Sequence, residues 1–387
     1  MKNKSDIRIA WLVPAVELGA YWQPVLREFT KIFPQTKFYT GHLWSTFDSS
    51  LPGAYAFELV GETKFVKTEK IETGYDRGFF VVSPSIIGYL LKFRPQVVFP
   101  QAFSLWTVLV MLLKPIFRWK VAIIYDGSSP NSDFRDSKFR TTARRILAYF
   151  SDAFVANSKN AKTYLMEGLN IPEDKIFYRT YLVPDSDSFL KRLETVEKPQ
   201  LPEKKPVFLY VGRITSRKGI KTLIQACAIL KSQGYSNYSL VIVGKGDQQE
   251  ELEAFIQEKD LVDQVTWAGW VDYDKIGSYF QATDIFVFPT YEDVWGMVLP
   301  EAMLCGKPVL GSTGAASCEL IEEGGNGYIF DPHQPQELAT GMQKLLDNPE
   351  LIKSMGARSR ELISQTTPET AAIAYQEVVE FLMGNSR

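Results

Sequence analysis

DIFVFPTYEDVWGMVLPEAMLCG, residues 284–306, holds a strand, a loop and a helix start in one short segment. Ile285 to Phe288 is a continuous apolar run, as a strand buried on both faces requires. Pro289 and Thr290 end it, and the acidic pair Glu292-Asp293 leads into Trp295-Gly296. Pro300 predicts the first position of a helix, where a missing N–H costs nothing. Glu301 then falls in the first turn, where a carboxylate suits the helix dipole. A strand that feeds a small-residue loop and a helix N-terminus is suited to cradle an anion.

The rest of the chain repeats this strand–loop–helix grammar. In the first half, strands are expected at Ile7–Val13, Thr36–Tyr39, Phe79–Val82, Val97–Phe99, Val121–Tyr125 and Ala153–Ala156. Helices are expected at Trp22–Ile32, Ile86–Phe93, Leu105–Leu113, Ser137–Phe150 and Ala161–Gly168. The segment from Gly53 to Gly78 has no clear period. RLETVEKPQLPEKKP, residues 192–206, is charged and proline-rich and reads as a linker. A second series follows, with strands at 206–211, Ser239–Val243, Gln264–Trp267, Ile285–Phe288, Pro308–Gly311 and Gly327–Phe330. Its helices are expected at Gly219–Gln233, Gln248–Lys259 and Tyr273–Ala282, after Pro300, from about Ser317, and from Pro335 onward. Alternating strands and helices imply parallel, doubly wound sheets. The expected fold class is α/β, with two Rossmann-like domains at 1–200 and 201–367 facing across a cleft. Residues 368–387 begin an amphipathic helix that is expected to pack back on the first domain. Ligands in such sheets bind beyond the carboxyl ends of the strands, so the site is expected between the domains.

The net charge of -2 conceals an asymmetry. Residues 1–200 carry 27 basic and 20 acidic side chains, and residues 201–387 carry 16 and 25. A basic front half fits an anionic partner such as a phosphorylated lipid or an acidic membrane surface, and it fits equally a differently solvated surface. Three cysteines, Cys227, Cys305 and Cys318, have no ligand or disulfide spacing and point to a reducing compartment. The opening MKNKSDIRIAWLV lacks a signal peptide's apolar core, so a cytoplasmic location is expected. Pro95 to Leu113 carries no charge, yet its continuous apolar part is too short to span a bilayer, and strand, loop and helix fit better. The end of that helix, LLKPIFRWK, mixes basic and aromatic side chains, which suits a membrane-surface helix, although a helix packed on the sheet fits better.

Several loops could carry chemistry. VGRITSRKG, residues 211–219, ends the first strand of the second series. Gly212 allows a turn, and Arg213 and Lys218 can hold a diphosphate without a metal, or can simply be solvated cations. VGKGD, residues 243–247, offers close backbone approach at Gly244 beside Lys245, or only a turn. STGAAS, residues 312–317, is a similar small-residue loop. Asp293 and Glu301 can grip a vicinal diol, or serve as a loop acid and a helix-start acid. Asp185 and Asp187 form an Asp-x-Asp pair whose solvated reading outweighs a metal site.

GRITSRKG, VGKG, DVWGMVLPEAM, GKPVLGSTGAASCELI and NGYIF, in that order, resemble retaining glycosyltransferases of family 4, which have the GT-B fold. The resemblance covers most of residues 206–365; VANSKNAK and LVPDSDSF are weaker echoes in the first half. It implies that Arg213 and Lys218 hold the donor's diphosphate and that Glu301 grips the ribose. Amides around Gly296, Met297, Val298 and Leu299 would meet phosphate and sugar oxygens, with Gly212, Gly244 and Lys245 nearby. Gly269-Trp270-Val271 would line the base pocket. The family's pair of glutamates seven residues apart becomes an aspartate–glutamate pair here, since Asp293 stands at the first place with Glu292 beside it. Many members carry a histidine facing the transferred sugar. This chain has only His42 and His333, and Asp126, after the strand at Val121–Tyr125, is the candidate for that place.

The activity implied is metal-independent, cofactor-free transfer of a hexose from a nucleotide diphosphate sugar, a UDP-sugar by preference, with retention of configuration. The acceptor expected is a lipid-linked or saccharide hydroxyl in cell-surface polysaccharide or glycolipid synthesis. Contact with the cytoplasmic membrane face is expected, and nucleic acid is not. Two other readings stand beside it. A sugar-nucleotide epimerase of the same architecture would need cleft histidines. A non-catalytic nucleotide-sugar-binding subunit would accommodate Asp293 and the missing histidine.

Overall fold

The computed structural model describes residues 3–14, 19–44, 47–180, 183–194 and 196–384. Met1 and Lys2 of the opening segment, Leu182 of the LVPDSDSF echo, Thr195 of the linker and the last three residues lie outside the described residues. The chain folds as two compact units, one of residues 1–70, 76–183 and 366–387, the other of 71–75 and 184–365.

The first unit contains β1 (Ile9–Leu12), β2 (Thr36–Thr40), β3 (Phe57–Leu59), β4 (Lys64–Glu69), β5 (Arg77–Val81), β6 (Val97–Pro100), β7 (Lys120–Tyr125), β8 (Ala153–Ala156) and β9 (Ile176–Tyr178). Seven of these form a parallel sheet in the order β3-β2-β1-β6-β7-β8-β9. The strand expected at Phe79–Val82 is not part of that series. It pairs antiparallel with β4 as a separate hairpin, and because all six β4 residues are exposed, the segment lacks a buried face and hence a period. The helix expected at Ala161–Gly168 starts at Lys159 and widens into a π turn over Tyr164–Gly168.

Trp11 of β1 centres an aromatic cluster in this unit, with ring centroids 5.4 Å from Trp22, 5.2 Å from Phe29 and 5.0 Å from Phe99. Tyr375, 4.4 Å from Trp11, completes it. Tyr375 belongs to the helix Pro368–Leu382, which begins with a Thr367–Thr370 capping box and lies on the helix Gly19–Ile32. The last helix of the chain is thereby part of the first unit's core.

The second unit contains β10 (Val207–Val211), β11 (Ser239–Val243), β12 (Val265–Gly269), β13 (Ile285–Phe288), β14 (Val309–Ser312) and β15 (Gly327–Phe330). All are parallel, in the order β12-β11-β10-β13-β14-β15. The winding reverses between β10 and β13, which makes their carboxyl ends the unit's topological switch point. Every residue of β10, β11, β13 and β14 is buried, as the continuous apolar runs require.

Two expectations change here. The region read as linker begins inside a helix, Ser186–Leu193, whose Phe189 and Leu193 pack into this unit's core with Phe280. Asp185 is its N-cap, accepting from the Ser188 amide at 3.2 Å, so the first acid of the Asp-x-Asp pair has a helix-starting role. The helix expected from Ser317 is only a 3₁₀ turn, Ala316–Leu320.

Candidate functional site

The loops after β10 and β13 meet at the switch point of the second unit. Arg217 stitches them together. Its guanidinium donates to the Glu292 carbonyl at 2.6 Å, and its own carbonyl accepts from the Tyr291 amide (2.9 Å) and the Thr290 hydroxyl (3.0 Å). Lys218, next in sequence, donates to Asp293 Oδ2, and Arg217 Nη1 lies 3.8 Å from the same oxygen. Asp293 also accepts from the Trp295 amide at 3.3 Å. Burial pushes its carboxyl upward, but Lys218, Arg217 and that amide more than compensate and hold it below the ordinary carboxylate range.

Ile71–Tyr75, which belongs to this unit, adds a third partner. The Tyr75 ring lies under Arg217 with the guanidinium carbon 4.0 Å from its centroid. Tyr75 donates from its hydroxyl to Asp293 Oδ1 at 3.3 Å and from its amide to Glu292 Oε2 at 2.7 Å. Glu292 is therefore held by backbone, while Asp293 faces the cations. Neither Arg217 nor Tyr75 was distinguishable in sequence. Arg217 sits between two candidates in a basic run, and Tyr75 lies in the aperiodic segment.

The acidic loop is fixed from its other side by the small-residue loop. Asp293 and Ala315 form a parallel bridge, the Asp293 amide donates to the Gly314 carbonyl at 2.8 Å, and the Ser317 amide donates to the Trp295 carbonyl at 3.0 Å. Gly296 turns the chain into the helix with φ +91°, and a Cβ there would lie 2.4 Å from the Phe288 ring. Only glycine fits. The helix runs Val298–Leu304 with Met297 as N-cap, so Pro300 occupies its third position rather than its first. The proline is still within the turn whose amides have no intrahelical acceptor. Met297 and Leu299 are buried, and Val298 is half-buried.

Glu301 is buried on this helix and accepts from the Tyr273 hydroxyl at 2.7 Å. The ends of β10, β11 and β12 are zipped together: the Gly212 amide donates to the Val243 carbonyl at 3.0 Å and the Gly244 amide to the Gly269 carbonyl at 2.8 Å. Gly244 has φ +140°, and a Cβ would meet the Gly212 carbonyl oxygen at 1.8 Å. Arg213 and Lys245 extend to solvent, and Trp270 is 63% exposed. Val271 packs partly against the core. The arrangement thus unites Lys218 with Asp293 and leaves Arg213, Lys245 and Trp270 at the surface. Asp126 lies in the first unit, after β7, where Gln101 donates to it at 2.6 Å.

Two doubly wound Rossmann-like units, the second with paired basic and acidic loops at its switch point, define a GT-B architecture. HepE of Anabaena, solved with UDP, shares this fold over 97% of the present chain and all of its own, with a TM-score of 0.74 and 18% identity. The same protein has also been solved with UDP-glucose (TM-score 0.70). Residues 191–362 match the family of glycosyl transferases group 1. An alpha-D-kanosaminyltransferase of Streptomyces kanamyceticus is 30% identical over 206 residues, 52% of this chain and 53% of the relative. The amylovoran biosynthesis glycosyltransferase AmsK of Erwinia amylovora is 31% identical over 180 residues, 45% and 44% of the respective chains. The chain thus spans about half the length of these curated relatives.

Proposed function

We propose that this protein is a retaining glycosyltransferase that moves a hexose from a UDP-sugar to an acceptor hydroxyl. The observation that carries the reading is the pairing of Arg217 and Lys218 with Asp293 at the switch point, close to a glycine turn into the helix that bears Glu301. Arg213 and Lys218 would take the diphosphate, the amides from Gly296 to Leu299 its oxygens, and Glu301 the ribose hydroxyls. Lys218 would exchange part of its bond to Asp293 for the donor, leaving Asp293 to accept from the transferred sugar. The barrier is dominated by negative charge growing on the departing diphosphate, which fixed cations stabilise. Those cations make a metal unnecessary, so chelator should leave turnover unchanged.

The UDP complexes of HepE favour uridine as the base, and the acceptor we infer is a saccharide or lipid-linked hydroxyl. An acceptor at the cytoplasmic membrane face suits the basic first half. The test is release of UDP from UDP-sugars, with and without acceptor lipids, together with NMR of the product's anomeric proton. Arg213→Ala and Glu301→Ala should each abolish turnover with the fold intact. Wild-type rates in either variant would remove the site assignment, and an inverted anomer would remove retention.

A further inference from the structure

The first unit gathers four arginines around the segment after β7. Asp133 is fully buried and accepts from Tyr125 Oη at 2.6 Å, Ser128 Oγ at 2.8 Å and Arg135 Nε and Nη2 at 2.9 and 2.8 Å. Arg144 donates to the Asp133 carbonyl and to Tyr164 Oη, neither of them charged. Arg77 pairs through Nη1 with Asp136 at 2.9 Å and Glu69 at 3.5 Å, while its Nε–H is buried without an acceptor. Arg140 stacks on Phe134 at 3.5 Å, and Arg77 lies 5.7 Å from the same ring. Among the described residues no carboxylate accepts from the Arg140 guanidinium.

Burial, followed by repulsion from Arg144 and Arg77 that Asp136 only partly offsets, depresses the Arg140 pKa. Arg77 and Arg140 are half-buried, and a fork of N–H donors matches phosphate oxygens. Both side chains keep part of their surface exposed, which gives solvent access. The loop also lies beyond a strand's carboxyl end, where α/β sheets take ligands. We propose that Arg77 and Arg140, which meet at the Phe134 ring, form a binding site for a phosphoryl anion. The anion belongs to the acceptor only if the transferase reading holds; the binding itself does not depend on that reading.

A free phosphate ester and a phospholipid headgroup share this chemistry. The helix Lys138–Phe150, which carries Arg140, also turns Phe139 (84% exposed) and Tyr149 (80%) to solvent, side chains suited to a bilayer interface. Two assays on the full chain separate the sources, both in an Arg213→Gln background to silence the donor loop. Calorimetry with inorganic phosphate should show Arg140→Gln and Arg77→Gln weakening binding about tenfold, the loss of one charge-assisted contact, with partial recovery in Arg140→Lys. Flotation with vesicles of roughly one quarter phosphatidylglycerol in phosphatidylcholine supplies the second arm. Loss of flotation in Arg140→Gln supports the site with a lipid source, and phosphate binding without flotation supports it with a soluble one. Equal phosphate affinity and flotation in the folded Arg213→Gln parent and in its Arg77→Gln and Arg140→Gln derivatives would overturn the proposal, as would binding of neither probe by that parent. A chain that binds phosphate here but turns over no donor would retain this site and lose the transferase reading.

Discussion

Lys218 and Asp293 are 75 residues apart in sequence and form one nearly dry ion pair. Removing one partner strands the other, at roughly 3–5 kcal/mol for a buried pair. Asp293→Asn should therefore lower unfolding free energy at neutral pH by about that amount, measured by denaturant melts. The Asp293 carboxyl is held below its ordinary value, so its contribution is complete above about 3.9, the unfolded value. It is lost as pH falls through the depressed folded value. The gap between wild type and Asp293→Asn should accordingly narrow as pH drops below about 3.9; a gap independent of pH would show that the charge is not what stabilises. Glu301→Gln keeps the shape and the bond from Tyr273 but drops the charge. Under the ribose reading it should cost about 10- to 100-fold in donor kcat/KM, as a hydrogen bond to an ionised group does.

At the scale of elements, the site is a set of loop ends fixed by buried strands. The turn at Gly296 is the tightest of these joints, with its left-handed φ and the Phe288 ring behind it. Gly296→Ala should cost about 1–3 kcal/mol of local strain and lower the melting temperature by several degrees. Hydrogen exchange should show the loss centred on the helix Val298–Leu304; uniform loss would point away from the turn. The strands themselves were legible because parallel strands buried on both faces must be continuously apolar, as β10 and β13 are. Of the hairpin β4–β5 only the second strand was legible, because a strand exposed on both faces, as β4 is, leaves no periodic mark. The Ala316–Leu320 turn was over-read as a helix because small residues followed by leucine suit both.

For the whole molecule, the last helix matters most. Tyr375 closes the Trp11 cluster, so a chain ending at Thr367 leaves Trp11, Phe29 and Phe99 with an open face. Deleting residues 368–387 should abolish protection of β1 and the helix Gly19–Ile32 in hydrogen exchange. The strands of the second unit should keep theirs. Unchanged protection of β1 would show that the cluster stands without Tyr375.

Sequence alone settled what local chemistry settles: the two α/β series, most strand positions, the glycine turns and the acidic and basic loops after β10 and β13. Each of these is written in a few neighbouring residues. Tertiary structure decided which charge meets which. It placed Arg217 rather than Arg213 between the loops, gave Asp293 to Lys218, and brought in Tyr75 from 218 residues away. Such choices depend on which side chains are buried together, and no spacing along the chain records that.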